Sequence, residues 1–269
     1  MKLAVSNIAL PAYDHAETLG NLAELGFSGL EVAPSRVWKE TWAGLKPSEV
    51  YAYRRSVEAA ELRVVGLHSL IYDHPELGLF NGTELRRKTL DFFVHLSGVC
   101  RDLGGQTMIW GGGRRRNGTD EETAQTIALE FLNELAVNIE ANETIFCFEP
   151  LGPQDTDFLN SLESCVRMAE QINHPAIGVQ IDAKALAENA EIAPRVFDMA
   201  SSRLVHVHVN EPRLGIVGET GTVDHSAIGA ELRRIGYRGY VSVEQRLLNE
   251  DDPLSDLAAS AAAIETAYF

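Results

Sequence analysis

The period of the apolar and polar positions changes again and again along this chain. Short, nearly continuous apolar runs such as Ile145 to Phe148 and Leu204 to Val209 alternate with longer stretches whose apolar residues recur every three or four positions. A short apolar run between breakers is a strand buried on both faces, and the longer period is an amphipathic helix. The runs predict strands at 3–6, 28–33, 64–68, 107–110, 145–148, 176–182, 204–210 and 240–244. Helices are predicted between them at 15–25, 47–62, 84–103, 120–139, 161–172, 185–200 and 225–235, with a last one at 253–268. Gly26 and Gly104-Gly105 stop two of these helices, and Pro34 ends the second strand. Eight strand–helix units in 269 residues average about 34 residues each, the size of a βα repeat. No linker of low complexity divides the chain. The pattern predicts an α/β protein, a single (β/α)8 TIM barrel of parallel strands over 1–269, with its reactive groups at the C-terminal strand ends. An open doubly wound sheet would instead gather ligands at one switch point.

Composition narrows the partners. Hydrophobic residues make up 45% of the chain and charged ones 23%, as in ordinary globular proteins. The 39 acidic against 23 basic residues give a net charge of −16, which argues against a nucleic-acid or anionic-membrane partner. No apolar run approaches the roughly 18 residues of a membrane span. The opening run is broken by Ser6 and Asn7 and followed by Asp14, so it reads as a strand and not an export signal. Cys100, Cys147 and Cys165 lack metal-binding spacing, and their odd number suggests reduced thiols in a cytoplasmic protein. The Asn-X-Thr sites at Asn81, Asn117 and Asn142 are then chance matches. A homo-oligomer is compatible with all of this.

The chemistry gathers at the last four strands. The fifth ends on Glu149, the sixth on Asp182, the seventh carries His206 and His208, and the eighth ends on Glu244. A charge at the end of a buried strand is costly unless a cation or donor meets it. Separations of 33, 26 and 36 residues, each near one βα unit, would bring Glu149, Asp182, His208 and Glu244 together around the barrel axis. Three carboxylates and an imidazole suit a hard divalent ion, Mn²⁺, Mg²⁺ or Co²⁺, better than structural zinc. His206 and His208 point to the same face, but only the one nearer the strand end reaches the cleft. His206 is then a hydrogen-bonded core residue one layer lower.

Phe148-Glu-Pro-Leu151, Gln180-Ile-Asp182, Val205-His-Val-His208 and Ser242-Val-Glu-Gln245 resemble the sugar phosphate isomerase/epimerase superfamily, the xylose-isomerase-like barrels. Leu3-Ala-Val-Ser6, Gly29-Leu-Glu-Val32 and Gly236-Tyr-Arg-Gly-Tyr240 match its habit too, so the resemblance covers essentially the whole chain. It implies a divalent metal, manganese for example, held by Glu149, Asp182, His208 and Glu244, with Glu149 and Glu244 doubling as the acid/base pair. That assignment is physically sensible. Moving a proton beside a carbonyl needs one base to remove it, one acid to return it and a cation to hold the enediolate. The resemblance implies carbohydrate metabolism: an isomerase or epimerase of a sugar or sugar-like polyol ketone, or alternatively a lyase dehydrating a cyclic polyol or keto acid. The superfamily also contains a DNA-repair endonuclease, which the charge of −16 fits badly. A further alternative is a non-enzymatic binding barrel, which loss of the metal would support.

The chain also departs from the ketose 3-epimerase pattern. Those enzymes usually carry a histidine three residues after the strand-six aspartate, where this chain has Ala185 preceded by Lys184. Lys184 either reaches a substrate oxygen or simply opens the next helix. Their strand-seven arginine has Arg213 as its nearest candidate here, and their second acid Asp155. Among the other strand ends, His68 either bonds a sugar hydroxyl or is satisfied by loop backbone. Trp110 either stacks on a sugar face or forms a hydrophobic lid. Glu31 is expected to make a hydrogen bond inside the barrel. Gly111-Gly-Gly-Arg-Arg-Arg116 is expected to be a solvated, salt-bridged loop. If one of its arginines grips a substrate anion, Arg114 or Arg116 is the better placed. Trp38 and Trp42 are candidates to cap the cleft.

Overall fold

The computed structural model describes residues 1–269. Eight parallel strands close in sequence order: β1 (Lys2–Ser6), β2 (Gly29–Val32), β3 (Arg63–Leu67), β4 (Thr107–Trp110), β5 (Ile145–Phe148), β6 (Ile177–Asp182), β7 (Leu204–Val209) and β8 (Tyr240–Val243). β1 pairs with β8 to complete the ring. The expected closed barrel is therefore the observed one. The helices are α1 (Leu19–Glu24), α2 (Pro47–Ala59), α3 (Thr83–Leu103), α4 (Glu121–Ile139), α5 (Leu162–Ile172), α6 (Ala183–Glu188), α7 (Pro194–Ala200), α8 (His225–Arg234) and α9 (Pro253–Tyr268).

Local chemistry sets the helix ends. Side chains of Asp120, Ser161, Asp224 and Asp252 accept from backbone N–H groups in the first turns of α4, α5, α8 and α9. Gly104 closes α3 in the left-handed region at φ 83°, which a side chain would disfavour. Two helices differ from the sequence pattern. The first is shorter, a 3₁₀ turn at Ala16–Thr18 running into α1. The expected helix over 185–200 is two, α6 and α7, because Pro194 can begin a helix but cannot sit inside one.

Strand side chains alternate between the axis and the helical layer. The outward layer is aromatic: Trp110 and Phe146 pack against Phe93 of α3, at 4.8 and 5.4 Å between ring centres. The inward layer is polar at the C-terminal mouth. Asp182 lies beside His208 and Gln180 beside His206 across β6 and β7, and His208 lies beside Ser242 on β8. Register shifts fall just before Glu31 in β2 and just before Gln180 in β6. Such irregularities re-aim side chains, and both of these residues reach the mouth.

Candidate metal centre

The last four strands each deliver one group that could hold a metal ion. Donor atoms of Glu149, Asp182, His208 and Glu244 all lie within 4.8 Å of one another. His208 Nδ1 is 2.7 Å from a Glu149 oxygen and 3.6 Å from a Glu244 oxygen. Glu149, Asp182 and His208 are buried, and Glu244 borders the opening.

Each ligand is held by a neighbour. Glu31 is fully buried and lies 2.9 Å from His208 Nε2, which donates to it; Ser242 donates to the same carboxylate at 2.9 Å. The carboxylate fixes the ring so that Nδ1 turns to the cluster. Gln180 donates to Glu149 at 3.1 Å. The Asn210 amide bridges Asp182 and Glu244, at 2.6 and 2.9 Å. His68 sits 3.5 Å from Glu244 and 2.5 Å from the Ser6 hydroxyl. Gly111 completes the enclosure, since a Cβ there would lie 2.1 Å from a Glu149 oxygen.

The electrostatics are set by buried charges at close quarters. Burial pushes Asp182 well above the usual carboxylate range, and the charges of Glu149 and Glu244 push it further. Burial acts against a charge on His208, yet Glu31 and Glu244 raise it well above an ordinary histidine. Burial would also raise Glu149, but the hydrogen bond and charge of His208, with Gln180, hold it below its ordinary value. Three carboxylates around one imidazole fit a hard divalent cation. Ligands on opposite sides of such an ion stand roughly 4–5 Å apart, about twice a metal–oxygen bond, and the donors here all lie within 4.8 Å of one another.

Above the cluster lies a cavity of about 540 Å³ lined by Glu149, Asp182 and Glu244 together with Asp155, Lys184 and Arg213. Lys184 opens α6, its backbone N–H donating to Asn210 at 3.0 Å, while its Nζ meets Asp155 at 2.9 Å and Glu188 at 3.2 Å. Burial works against its charge, but the two carboxylates hold its ammonium above the usual lysine value. Arg213 is exposed and stands on left-handed backbone at φ 61°.

Other candidates lie elsewhere. Trp110, weighed as a sugar platform or lid, is 1% exposed, and its ring faces Phe93, Phe131, Phe146 and Phe148 in the helical layer. Trp38 packs on Tyr53, and Trp42 on Phe92 and His74, so neither tryptophan caps the cleft. Arg114 is neither solvated nor a substrate grip. It is fully buried and donates to the carbonyls of Trp110, Gly111, Glu149, Phe158 and Leu159, pinning the ends of β4 and β5. Arg116 pairs with Glu121 at 2.6 Å. His206 is fully buried, its Nε2 3.1 Å from Glu31 at an angle that makes no hydrogen bond. The sequence reading missed Asn210, Gln180 and Ser6 as supports, and did not foresee Glu31 as the partner of His208. Period two was the available signal, because Gln180 and Asn210 stand two residues from Asp182 and His208.

The family profile described as "Xylose isomerase-like TIM barrel" matches residues 19–266. Among curated proteins, an L-ribulose 3-epimerase from Methylomonas sp. is 26% identical over 167 residues, 61% of this chain. The match spans 55% of that relative's own length. Among solved structures, D-psicose 3-epimerase with D-tagatose from Clostridium cellulolyticum superposes with a TM-score of 0.82 at 18% identity, covering 99% of this chain and 98% of that one. The 3-keto-D-glucoside 4-epimerase of E. coli gives 0.79 at 20% identity, covering 99% of each chain. At these identities the structural likeness is one of fold.

Proposed function

The chain belongs to the xylose isomerase-like TIM barrel family, and on that premise we propose that it is a divalent-metal-dependent epimerase or isomerase of a sugar or a sugar-like polyol ketone. The observation that carries this reading is the convergence of Glu149, Asp182, His208 and Glu244 at one point beneath an open cavity. When bound, a Mn²⁺, Mg²⁺ or Co²⁺ ion would supply charge stabilisation for the oxyanion that forms as a proton leaves the carbon beside a carbonyl. The protein's own groups do the rest. Glu149 and Glu244 exchange the proton with the substrate carbon, one removing it and the other returning it on the opposite face. Glu149, held ionised by His208 and Gln180, is ready to accept. Asn210 fixes the angle between Asp182 and Glu244. Asp155, Lys184 and Arg213 surround the space where hydroxyls would lie, and His68 stands 3.5 Å from Glu244 at its edge. The relatives reported above are epimerases, which favours this reading over dehydration by the same site.

The test is to strip the protein with chelator, reload it with each ion, and present a ketose and polyol-ketone panel in D₂O. The expected result is metal-dependent interconversion of stereoisomers, or of carbonyl positions, with deuterium appearing at the reacting carbon. Failure to bind a divalent ion, or an unsaturated dehydrated product, would overturn the assignment.

A further inference from the structure

A second cavity, of about 430 Å³, opens beside the metal centre and shares Glu244 and Leu214 with the first. Its wall carries two guanidiniums, Arg36 from the turn after β2 and Arg246 from the segment after β8, with Ser35 and Ser69 between apolar neighbours. In a chain this acidic a guanidinium readily finds a carboxylate, as Arg54, Arg87, Arg116 and Arg234 do. Arg36 and Arg246 form no ion pair, although Glu250 lines the same cavity. Arg36 donates from Nη2 to the Leu10 carbonyl, and its Nε is buried without a partner. Arg246 is exposed, but its backbone is fixed: its N–H donates to Leu214 at 3.0 Å, and the next N–H, of Leu247, donates to Ile8 at 3.0 Å. Anchored backbone thus places two guanidiniums without carboxylate partners on the wall of one space.

A guanidinium stays charged at any ordinary pH, and its planar fork matches the oxygens of a carboxylate or phosphate. Half-buried Arg36, beside Ile8, Ala33 and Leu247 on the same wall, is better satisfied by an anion than by nothing. The net charge of −16 repels anions at long range, so the arginines provide local attraction that the surface as a whole does not. We propose that this cavity is a subsite for an acidic group on the substrate, a carboxylate or phosphate carried at the end of the sugar chain away from the metal centre. This rests on the reading that the adjoining site handles a polyol ketone. Glu244 faces both spaces, so a ligand spanning them would set its acid group a few carbons from the reacting one.

The test uses three open-chain polyols that have no ketone to react: sorbitol, gluconate and sorbitol 6-phosphate, titrated calorimetrically into the Mn²⁺-loaded protein. At least one anionic polyol should bind about tenfold more tightly than sorbitol, the scale of one charge-assisted bidentate contact. Comparing gluconate with the phosphate tells which acid fits. Arg246→Met, at an exposed position that leaves the frame intact, should abolish the advantage without changing the affinity for sorbitol. Arg36→Met should do the same. Equal binding of all three polyols, no binding of either anion, or an advantage that survives both substitutions overturns the subsite. The turnover panel separates the two readings. Arginine-dependent anion binding without turnover removes the assigned reaction and keeps the subsite, whereas turnover of neutral ketoses with no anion preference does the reverse.

Discussion

The two halves of the barrel meet at one mouth with different equipment. From β5 to β8, each strand end places a potential ligand in the cluster. From β1 to β4, the strand ends supply supports: Ser6 bonds His68, His68 leans on Glu244, and Glu31 takes the far nitrogen of His208. β4 supplies no side chain to the cluster, because Trp110 turns to the helices. The contrast follows from burial. A ligand must be able to exchange water for a metal or substrate, whereas a carboxylate as deep as Glu31 persists only among donors, here His208 and Ser242. One half gathers the candidate ligands, and the other lends them support from across the ring.

If that division holds, substitution in the two halves should differ in kind. The largest effect belongs to the chelating half. Glu149→Gln keeps the shape but removes a charge and a proton acceptor, so kcat on whichever ketose is accepted should fall by roughly 10²–10⁴. Activity within a few-fold of the native enzyme would break the comparison at its stronger side. Glu31→Gln should act more mildly and through the metal. It leaves all four ligands in place but loosens the orientation of His208, so affinity for Mn²⁺ should fall roughly 10–100-fold. With saturating ion, most of kcat should return. Titration of the stripped variant with Mn²⁺, followed by assay at excess metal, separates an aiming role from a catalytic one. A kcat that stays low at saturation would place Glu31 in the chemistry itself.

The same contrast explains what could be read from the chain. The four clustered groups were legible because each stands at or near the end of an apolar run, and their spacing repeats with the βα unit, so closure of the barrel alone brings them together. The supports were not legible in the same way. Glu31 lies inside its strand, 177 residues from His208, and only the register of the closed ring makes them neighbours. Arg114 misled for a related reason. A run of three arginines after glycines has the composition of a solvated loop, yet carbonyls at the ends of β4 and β5 converge on one of them and bury it. Trp110 misled because position at a strand end does not say which face a side chain takes. The alternation places Phe148 and Trp110 on one side and Glu149 on the other. Helix limits failed where Pro194 divides a continuous apolar pattern, which its position in the sequence could have shown.

The smallest effect compares the halves away from the metal. Each half also has a buried histidine held by hydrogen bonds away from the barrel mouth. His15 bridges the Pro11 carbonyl, at 2.9 Å, and the Tyr53 hydroxyl, at 2.7 Å. His225 bridges the Tyr268 hydroxyl, at 2.9 Å, and Glu211, at 3.1 Å. Burial lowers both from the ordinary value of 6.5, opposed by the Pro11 carbonyl in one case and Glu211 in the other. A lowered folded value means that, below about pH 6.5, the unfolded chain takes up a proton that the fold refuses. The stability from each neutral ring is therefore fully present above that pH and is lost as acid carries the protein through the window beneath it. The residues of the cluster titrate too, so the comparison must be between variants. His15→Gln and His225→Gln, unfolded with urea at pH 7.5 and 5.5, should each lose less stability on acidification than the parent does. If the two lose equal amounts, the halves are matched as scaffolds, and their difference is confined to the mouth. A larger change for His225 would extend the asymmetry to the frame, because its partner Glu211 directly follows Asn210, the residue that bridges two of the ligands.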